Sequence, residues 1–295
     1  MRVTQGMLSN NMLRNLMNSQ ERMSTYLEQL STGKKISRPS QDPVVAVKGI
    51  NYRKQVGQLE QYQRNTSELH NWLDNTDEAL DKSNQALQRI RELVIQVNND
   101  HYGPDEKESI RKEISQLQEH LVDVANTNVN GKYIFNGTGT DTKPVTYDGN
   151  IVEVVHVNQD AFEIAVSPQT KLQANVKPEE VFPQELFDDL NDIMRILDGD
   201  DDVQGDLNDS IIKLDKHINN TLDTRAEIGA RMNRLDLIEN RLEEQEVIAT
   251  RTMAENENVH MEETITNLIT QESLHRAALA AGSRIIQPTL IDFLR

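Results

Sequence analysis

Residues 56–97 read VGQLEQYQRNTSELHNWLDNTDEALDKSNQALQRIRELVIQV, and this stretch decides the fold. In it Val56, Leu59, Tyr62, Thr66, Leu69, Leu73, Thr76, Leu80, Ser83, Leu87, Ile90, Val94 and Val97 recur at alternating steps of three and four. That period keeps one narrow stripe on a single helix face and calls for a partner helix along its length. Continued back to about Val45, the pattern predicts one helix roughly 80 Å long at ~1.5 Å per residue. An elongated chain is therefore expected rather than a globule. A hydrophobic content of 36%, aromatics at 4% and a mean hydropathy of −0.64 are also low for a large compact core.

Upstream, Leu13, Leu16, Gln20, Met23, Leu27 and Leu30 follow a 3-4-3 spacing with one polar interruption and predict a first helix ending at Gly33. The segment Ser31 to Pro43 contains Gly33, Pro39 and Pro43, with Ser37 and Ser40 as possible capping oxygens, and reads as a loop. Downstream, Asn98-Asn99-Asp100 and Gly103-Pro104 stop the long helix, and Ile110, Ile114, Leu117, Leu121 and Val124 mark a returning one. From Asn130 to about Val176 the pattern changes. The turn pairs Asn136-Gly137 and Asp148-Gly149 and the β-like runs Val152 to Val157 and Phe162 to Val166 predict a small β-rich insertion. Helix resumes near Pro183, breaks in the acidic stretch Asp198 to Asp206, and continues through Ile211, Leu214, Ile218, Ile228, Met232, Leu235, Ile238 and Leu242.

The expected fold class is mainly α: an elongated antiparallel helical bundle or coiled coil of N- and C-terminal arms with a small β-rich inserted domain. The expected segments are an N-terminal assembly helix over 1–40, disordered in the monomer, and an arm over 41–129. The insertion over 130–180, a second arm over 181–255 and a C-terminal assembly helix over 256–295 follow.

Charge separates the ends from the middle. Residues 1–33 and 264–295 carry five charged side chains each and net +1 each, in a chain whose net charge is −17. Both ends are rich in Met, Leu, Ile, Asn, Gln, Ser and Thr with apolar residues at helical spacing, which reads as an assembly device on an acidic body. Leu13, Leu16, Met23, Leu27 and Leu30 at one end, and Ile265, Leu268, Leu290, Ile291, Phe293 and Leu294 at the other, are the expected interface residues. Their burial cannot offset the entropy of ordering such a short segment alone, so order is expected to arrive with polymerisation.

The same composition argues against other classes. With no cysteine, neither a disulfide framework nor a thiolate metal site is available. The acidic net charge argues against nucleic acid, and no run of about 18 apolar residues suits a membrane. The first residues lack the basic and apolar regions of a signal peptide, so any export is expected to use another route. Asp198, Asp200 and Asp202 alternate like the start of a calcium loop, but Val203 stands where its glycine belongs and Asp209 where its glutamate belongs. His70, His120, His217, His260 and His275 lie in helical patterns without a His partner four residues away, which favours no metal. No phosphate-binding loop or serine elbow occurs, so no catalytic residue and no cofactor is expected. Trp72 reads as a packing residue between helices and the N-terminal Met residues as interface filler.

Several blocks resemble the bacterial flagellin family: MRVTQGML at the start, LSTGKKISRPSQDP at 30–43, LQRIRELVIQ at 87–96, NGKYIFNGT at 130–138 and TRAEIGARMNRL at 224–235. The resemblance covers both arms, and its motifs stand in the family's order. Within the family the Pro-containing loop, the MRVTQGM start and the ending SRIIQPTLIDFLR are similar to junction-type members. Filament members usually read Asp-Asp-Ala-Ala-Gly in that first loop, where this chain has Gln41-Asp42-Pro43-Val44-Val45.

The resemblance implies a secreted structural protein, exported by the flagellar type III apparatus to the extracellular flagellum and placed at the hook–filament junction. It implies a ring of copies, with hook-associated protein 1 on the hook side and flagellin on the filament side. An export chaperone at the C-terminal segment is implied as well. The alternatives are a filament-forming flagellin, or an intracellular coiled-coil scaffold that would leave the charge-poor ends unexplained. Arg89 and Leu93 match a segment that filament members present to an innate immune receptor, which makes them candidates for a lateral or receptor contact.

Overall fold

The structure, a computed structural model, describes residues 5–99, 103–148, 152–154, 160–199 and 206–285. It divides into two compact units: residues 1–58 with 245–295, and residues 59–244. The chain order is α1 (Gln5–Thr32), α2 (Pro43–Asn99), α3 (Pro104–Ala125), β1 (Asn128–Val129), β2 (Lys132–Tyr133), β3 (Val145–Tyr147), β4 (Val152–Val154), β5 (Glu163–Ser167) and β6 (Thr170–Gln173). It continues with α4 (Pro178–Val181), α5 (Gln184–Asp198), α6 (Leu207–Glu257) and α7 (Met261–Ile285). The chain is mainly helical, with small hairpins in its middle.

In the unit formed by 59–244, the stripe of α2 becomes the core. Leu69, Leu73, Leu80, Leu87, Ile90 and Val94 are fully or almost fully buried, and α6 answers with Leu214, Ile228, Leu235 and Leu242. Thr66, Thr76 and Ser83 occupy stripe positions and are buried too. The Thr76 hydroxyl donates to the Trp72 carbonyl at 2.8 Å, so a polar side chain fits the seam by bonding to its own helix. Flanking ion pairs fix an antiparallel register: Arg225 holds Asp77 at 3.0 Å and Asp81 at 2.6 Å, while Arg91 forks onto Asp215. The pairing places Asn98 beside Asn208, with a 2.9 Å bond between their amides.

Helices α3 and α5 complete this unit. Pro104 starts α3, where its missing N–H costs nothing, and Glu106 folds back to accept from the Gly103 N–H at 3.0 Å. On α5 Leu186, Phe187, Leu190 and Ile193 are buried, and Gly199 in the left-handed region (φ 78°) ends the helix. Buried Asp189 is shared by Lys213 at 2.7 Å and His217 at 3.0 Å, which accounts for that histidine as a hydrogen-bond partner within the core. The Lys213 ammonium is held above its ordinary range, first by the hydrogen bond to Asp189.

Among its described residues the insertion forms three separate antiparallel two-stranded sheets. The tight turn falls at Asn130-Gly131, both with positive φ (54° and 81°), as a two-residue hairpin loop requires. Asn136-Gly137 is not a hairpin turn. Asn136 is fully buried and its amide donates to the carbonyls of Gly139 (2.8 Å) and Thr142 (3.0 Å), so it braces a loop. Asp148 follows β3 as expected of a turn. Trp72 is buried against Phe162, with ring centroids 5.6 Å apart, which makes it the packing residue that its position suggested. Residues 155–157 of the β-like run and Asp200, Asp202 and Val203 of the acidic stretch lie outside the described residues.

Candidate assembly interface

The unit formed by 1–58 and 245–295 is built from α1, α7 and the ends of α2 and α6. Helices α1 and α7 pair closely. The less exposed positions of α1 include Met12, Leu16, Ser19, Met23, Tyr26 and Leu30, and those of α7 include Thr264, Leu268, Gln271, His275, Ala278 and Gly282. Both sets step by four and three, the spacing of a coiled-coil seam. At its centre the seam is polar: the Ser19 hydroxyl accepts from Gln271 at 2.9 Å and lies 3.3 Å from His275 Nδ1. A polar group in such a seam sets register at the expense of stability. Gly282 lets the end of the Met12 side chain approach the α7 backbone, where a methyl group would overlap it.

This seam corrects the stripe read from sequence. Leu16, Met23 and Leu30 face the seam, but Leu13 (48% exposed) and Leu27 (54%) point to solvent, and Ser19 takes the place given to Gln20. The chain satisfies the four-three period one step away, because Met12 and Tyr26 join the seam. Across the pairing Leu268 is half-buried while Ile265 is 45% exposed. The candidate residues thus fall into two groups: one holds α1 to α7, and the other, Leu13, Leu27 and Ile265, is left uncovered within the chain. Leu290, Ile291, Phe293 and Leu294 lie outside the described residues.

A clamp that no motif announced joins the loop after α1 to the break between α6 and α7. Gly33 turns with φ 68°, after which the Lys35 N–H donates to the Glu257 carbonyl at 2.7 Å and the Val259 N–H to the Gly33 carbonyl at 3.0 Å. The Glu257 carboxylate is buried and accepts from Arg53 at 2.7 and 2.8 Å and from Lys34 at 3.2 Å. Those bonds, Arg53 foremost, hold its carboxyl below the usual range, and they raise the Arg53 guanidinium in turn. The helix start that follows is capped by Asp42 rather than by a serine: its Oδ1 accepts from Val44 at 2.9 Å and Val45 at 3.1 Å. The sequence signal for the clamp was confined to Gly33. Nothing in Glu257-Asn258-Val259-His260 resembles a helix stop.

Apolar exposure is concentrated in this unit. Of seventeen large hydrophobic side chains exposed among the described residues, fourteen belong to it and only Ile212, Leu222 and Leu237 to the other. A packed core does not leave Met17, Ile50, Ile269 and Leu274 more than half exposed unless another surface covers them.

The remaining candidates sit in the other unit. Arg89 is half exposed and pairs with Glu113 at 2.9 Å and Glu92 at 3.2 Å, whereas Leu93 is 2% exposed. Arg89 is thus on the surface and Leu93 is not, because the chain buries Leu93 in the core beside the stripe of α2. Ligand atoms of His70, Asp236 and Glu239 lie within 4.8 Å of one another, but His70 is half exposed and already lies 3.4 Å from Asp74. Among the described residues no helix is long and apolar enough to cross a membrane.

Comparison with known proteins agrees with this architecture. Residues 3–140 match the family model described as bacterial flagellin N-terminal helical region. The flagellar hook-associated protein 3 of Escherichia coli (strain K12) is 27% identical over 300 residues, spanning 94% of each chain. The flagellin of Bacillus subtilis (strain 168) is 28% identical over 246 residues, 80% of each chain. Among solved structures, the flagellar junction protein FlgL of Legionella pneumophila superposes with a TM-score of 0.58 at 14% identity, over 72% of this chain and all of that one. At that identity the likeness speaks for the fold.

Proposed function

Because this chain belongs to the bacterial flagellin family, we propose that it is a structural, non-enzymatic subunit of the flagellum that joins hook to filament. The observation that carries the reading is the gathering of exposed apolar side chains on the unit formed by both chain ends. It is supported by the relative named hook-associated protein 3, which aligns over 94% of both chains.

In this role Leu13, Leu27 and Ile265, together with Leu290, Ile291, Phe293 and Leu294, bury against neighbouring subunits, while Leu16, Met23, Leu30 and Leu268 hold α1 to α7. The partners are further copies of the chain in a ring, hook-associated protein 1 on one side, flagellin on the other, and an export chaperone at the C-terminal segment. The segments 1–40 and 256–295 gain their order on assembly, since a seam with Ser19, Gln271 and His275 at its centre holds an isolated pair weakly.

Deletion of the gene followed by imaging of the flagella tests this. Cells should build hooks but shed flagellin monomers into the medium. Normal filaments on the deletion strain refute the junction role, and long filaments grown from the purified chain alone indicate a filament subunit instead.

A further inference from the structure

The first turns of α2 form a basic and apolar face in an acidic chain. Residues 34–54 hold six Lys and Arg against one Asp, while the whole chain nets −17. Glu257 takes up Lys34 and Arg53 through the clamp, while Asp42 only caps the backbone of α2. On the opposite side of the helix, Val44 is 62% exposed, Val47 60% and Ile50 64%, and the exposed Lys48 and Lys54 lie on the same face by helical spacing. Neither lysine has an ionic partner among the described residues.

A second face has the opposite composition. At the start of α7, Met261 (44% exposed), Ile265 (45%) and Ile269 (58%) repeat every four residues, so they form one ridge directed away from the seam with α1. Glu262 flanks this ridge, exposed and without an ionic partner among the described residues. The two faces match in extent: the first runs from Val44 to Lys54 and the second from Met261 to Ile269, or roughly 15 and 12 Å at ~1.5 Å per step.

Resting on the proposed ring of copies, we infer that the α2 face of one copy, Val44, Val47, Ile50, Lys48 and Lys54, docks on the α7 face, Met261, Ile265, Ile269 and Glu262, of the next copy. Both faces are exposed within a single chain, so they do not cover each other there. Two copies of the basic face would repel, which excludes a symmetric pairing of like faces. Charge complementarity selects the unlike pairing and suppresses the like one. A contact between two different faces of the same molecule propagates head to tail, and closes into a ring when the rotation between copies permits. Burial of the apolar residues supplies the attraction, and the lysines and Glu262 fix its register.

Charge exchange in a complemented deletion strain tests this. Lys48→Glu with Lys54→Glu should abolish filament retention, and Glu262→Lys should do the same. Combining all three in one chain should restore retention, since the pairing is regained with its sign inverted. Circular dichroism of each purified variant checks that the helices persist. Because the chain has no cysteine, a copy carrying Val47→Cys co-expressed with a copy carrying Ile265→Cys should yield a disulfide dimer in oxidised junctions, and neither copy alone should.

Failure of the combined exchange to restore filaments with a folded chain overturns the docking. So does a missing mixed dimer in junctions that still carry filaments, or a dimer formed by Val47→Cys copies alone. These results leave the junction role standing. That role falls separately, if the deletion strain keeps its filaments.

Discussion

Replacing Glu257 with Gln isolates the clamp from the rest of the fold. The change keeps the side-chain volume but removes the charge that Arg53 grips at 2.7 and 2.8 Å and Lys34 at 3.2 Å. Hydrogen bonds to a charged group contribute about 1.5–3 kcal/mol in favourable cases. Here the Arg53 side chain is 65% exposed and Lys34 42%, so water takes over much of their solvation once the carboxylate is gone. A net loss of about 1–2 kcal/mol follows for local opening of the clamp, or roughly a 5- to 30-fold larger open population. Hydrogen exchange reads this at two amides that the clamp itself ties down, Lys35 and Val259.

The pH dependence gives an independent check on the same pair of amides. Glu257 has a folded pKa below its ordinary value of 4.5, so its contribution is present above that value and is lost as pH falls through the lower folded one. In the wild-type chain, opening should therefore increase on acidification below about pH 4.5, after correction for intrinsic exchange, whereas the Gln variant should lack this step. Equal protection of Lys35 and Val259 in both proteins at neutral pH would refute the assignment of the carboxylate as the clamp's centre.

Two further outcomes follow from the packing. Leu27→Asp combined with Ile265→Asp places charges on positions already half in solvent, so thermal melting of the 59–244 unit should be unchanged while filament retention and motility are lost; a motile double mutant carrying filaments would exclude these faces from assembly. Asn136→Ala removes a buried amide that ties Gly139 to Thr142 and should cost about 1–3 kcal/mol, and Asn136→Asp should cost more because its carboxylate would face two carbonyl oxygens; a melting temperature for the Asp variant above that of the Ala variant contradicts the bracing role.

The core of the 59–244 unit was legible in the sequence because its signal is long and local. Thirteen stripe positions at one period leave a single face for burial, and from Leu59 to Val97 the structure buries all of them except Tyr62, which is half-buried. The threonines of the stripe were also readable, because Thr66 and Thr76 bond their hydroxyls to carbonyls of their own helix, whereas the buried Ser83 hydroxyl makes no hydrogen bond among the described residues. The arrest of α1 at Gly33 and the start of α3 at Pro104 are likewise properties of single residues, the positive φ of one and the fixed φ of the other.

Tertiary structure decided what a period alone leaves degenerate. In α1 apolar residues lie on more than one side, so helical spacing permits a seam through Leu13 and Leu27 as readily as one through Met12, Ser19 and Tyr26; the partner α7, with Gly282 and Gln271 at fixed heights, selects the second. Of the two turn pairs read from the sequence, Asn136-Gly137 turns a loop and not a hairpin, while the identical dipeptide Asn130-Gly131 closes β1 on β2; the two differ in whether strands flank them and whether burial claims the Asn side chain. The break between α6 and α7 has no local cause at all. Glu257 to His260 could continue a helix, and the chain leaves it there because backbone bonds from Lys35 and to Gly33, more than two hundred residues away in sequence, replace the helical ones. A helix stop made by a distant segment leaves no mark in the sequence that stops.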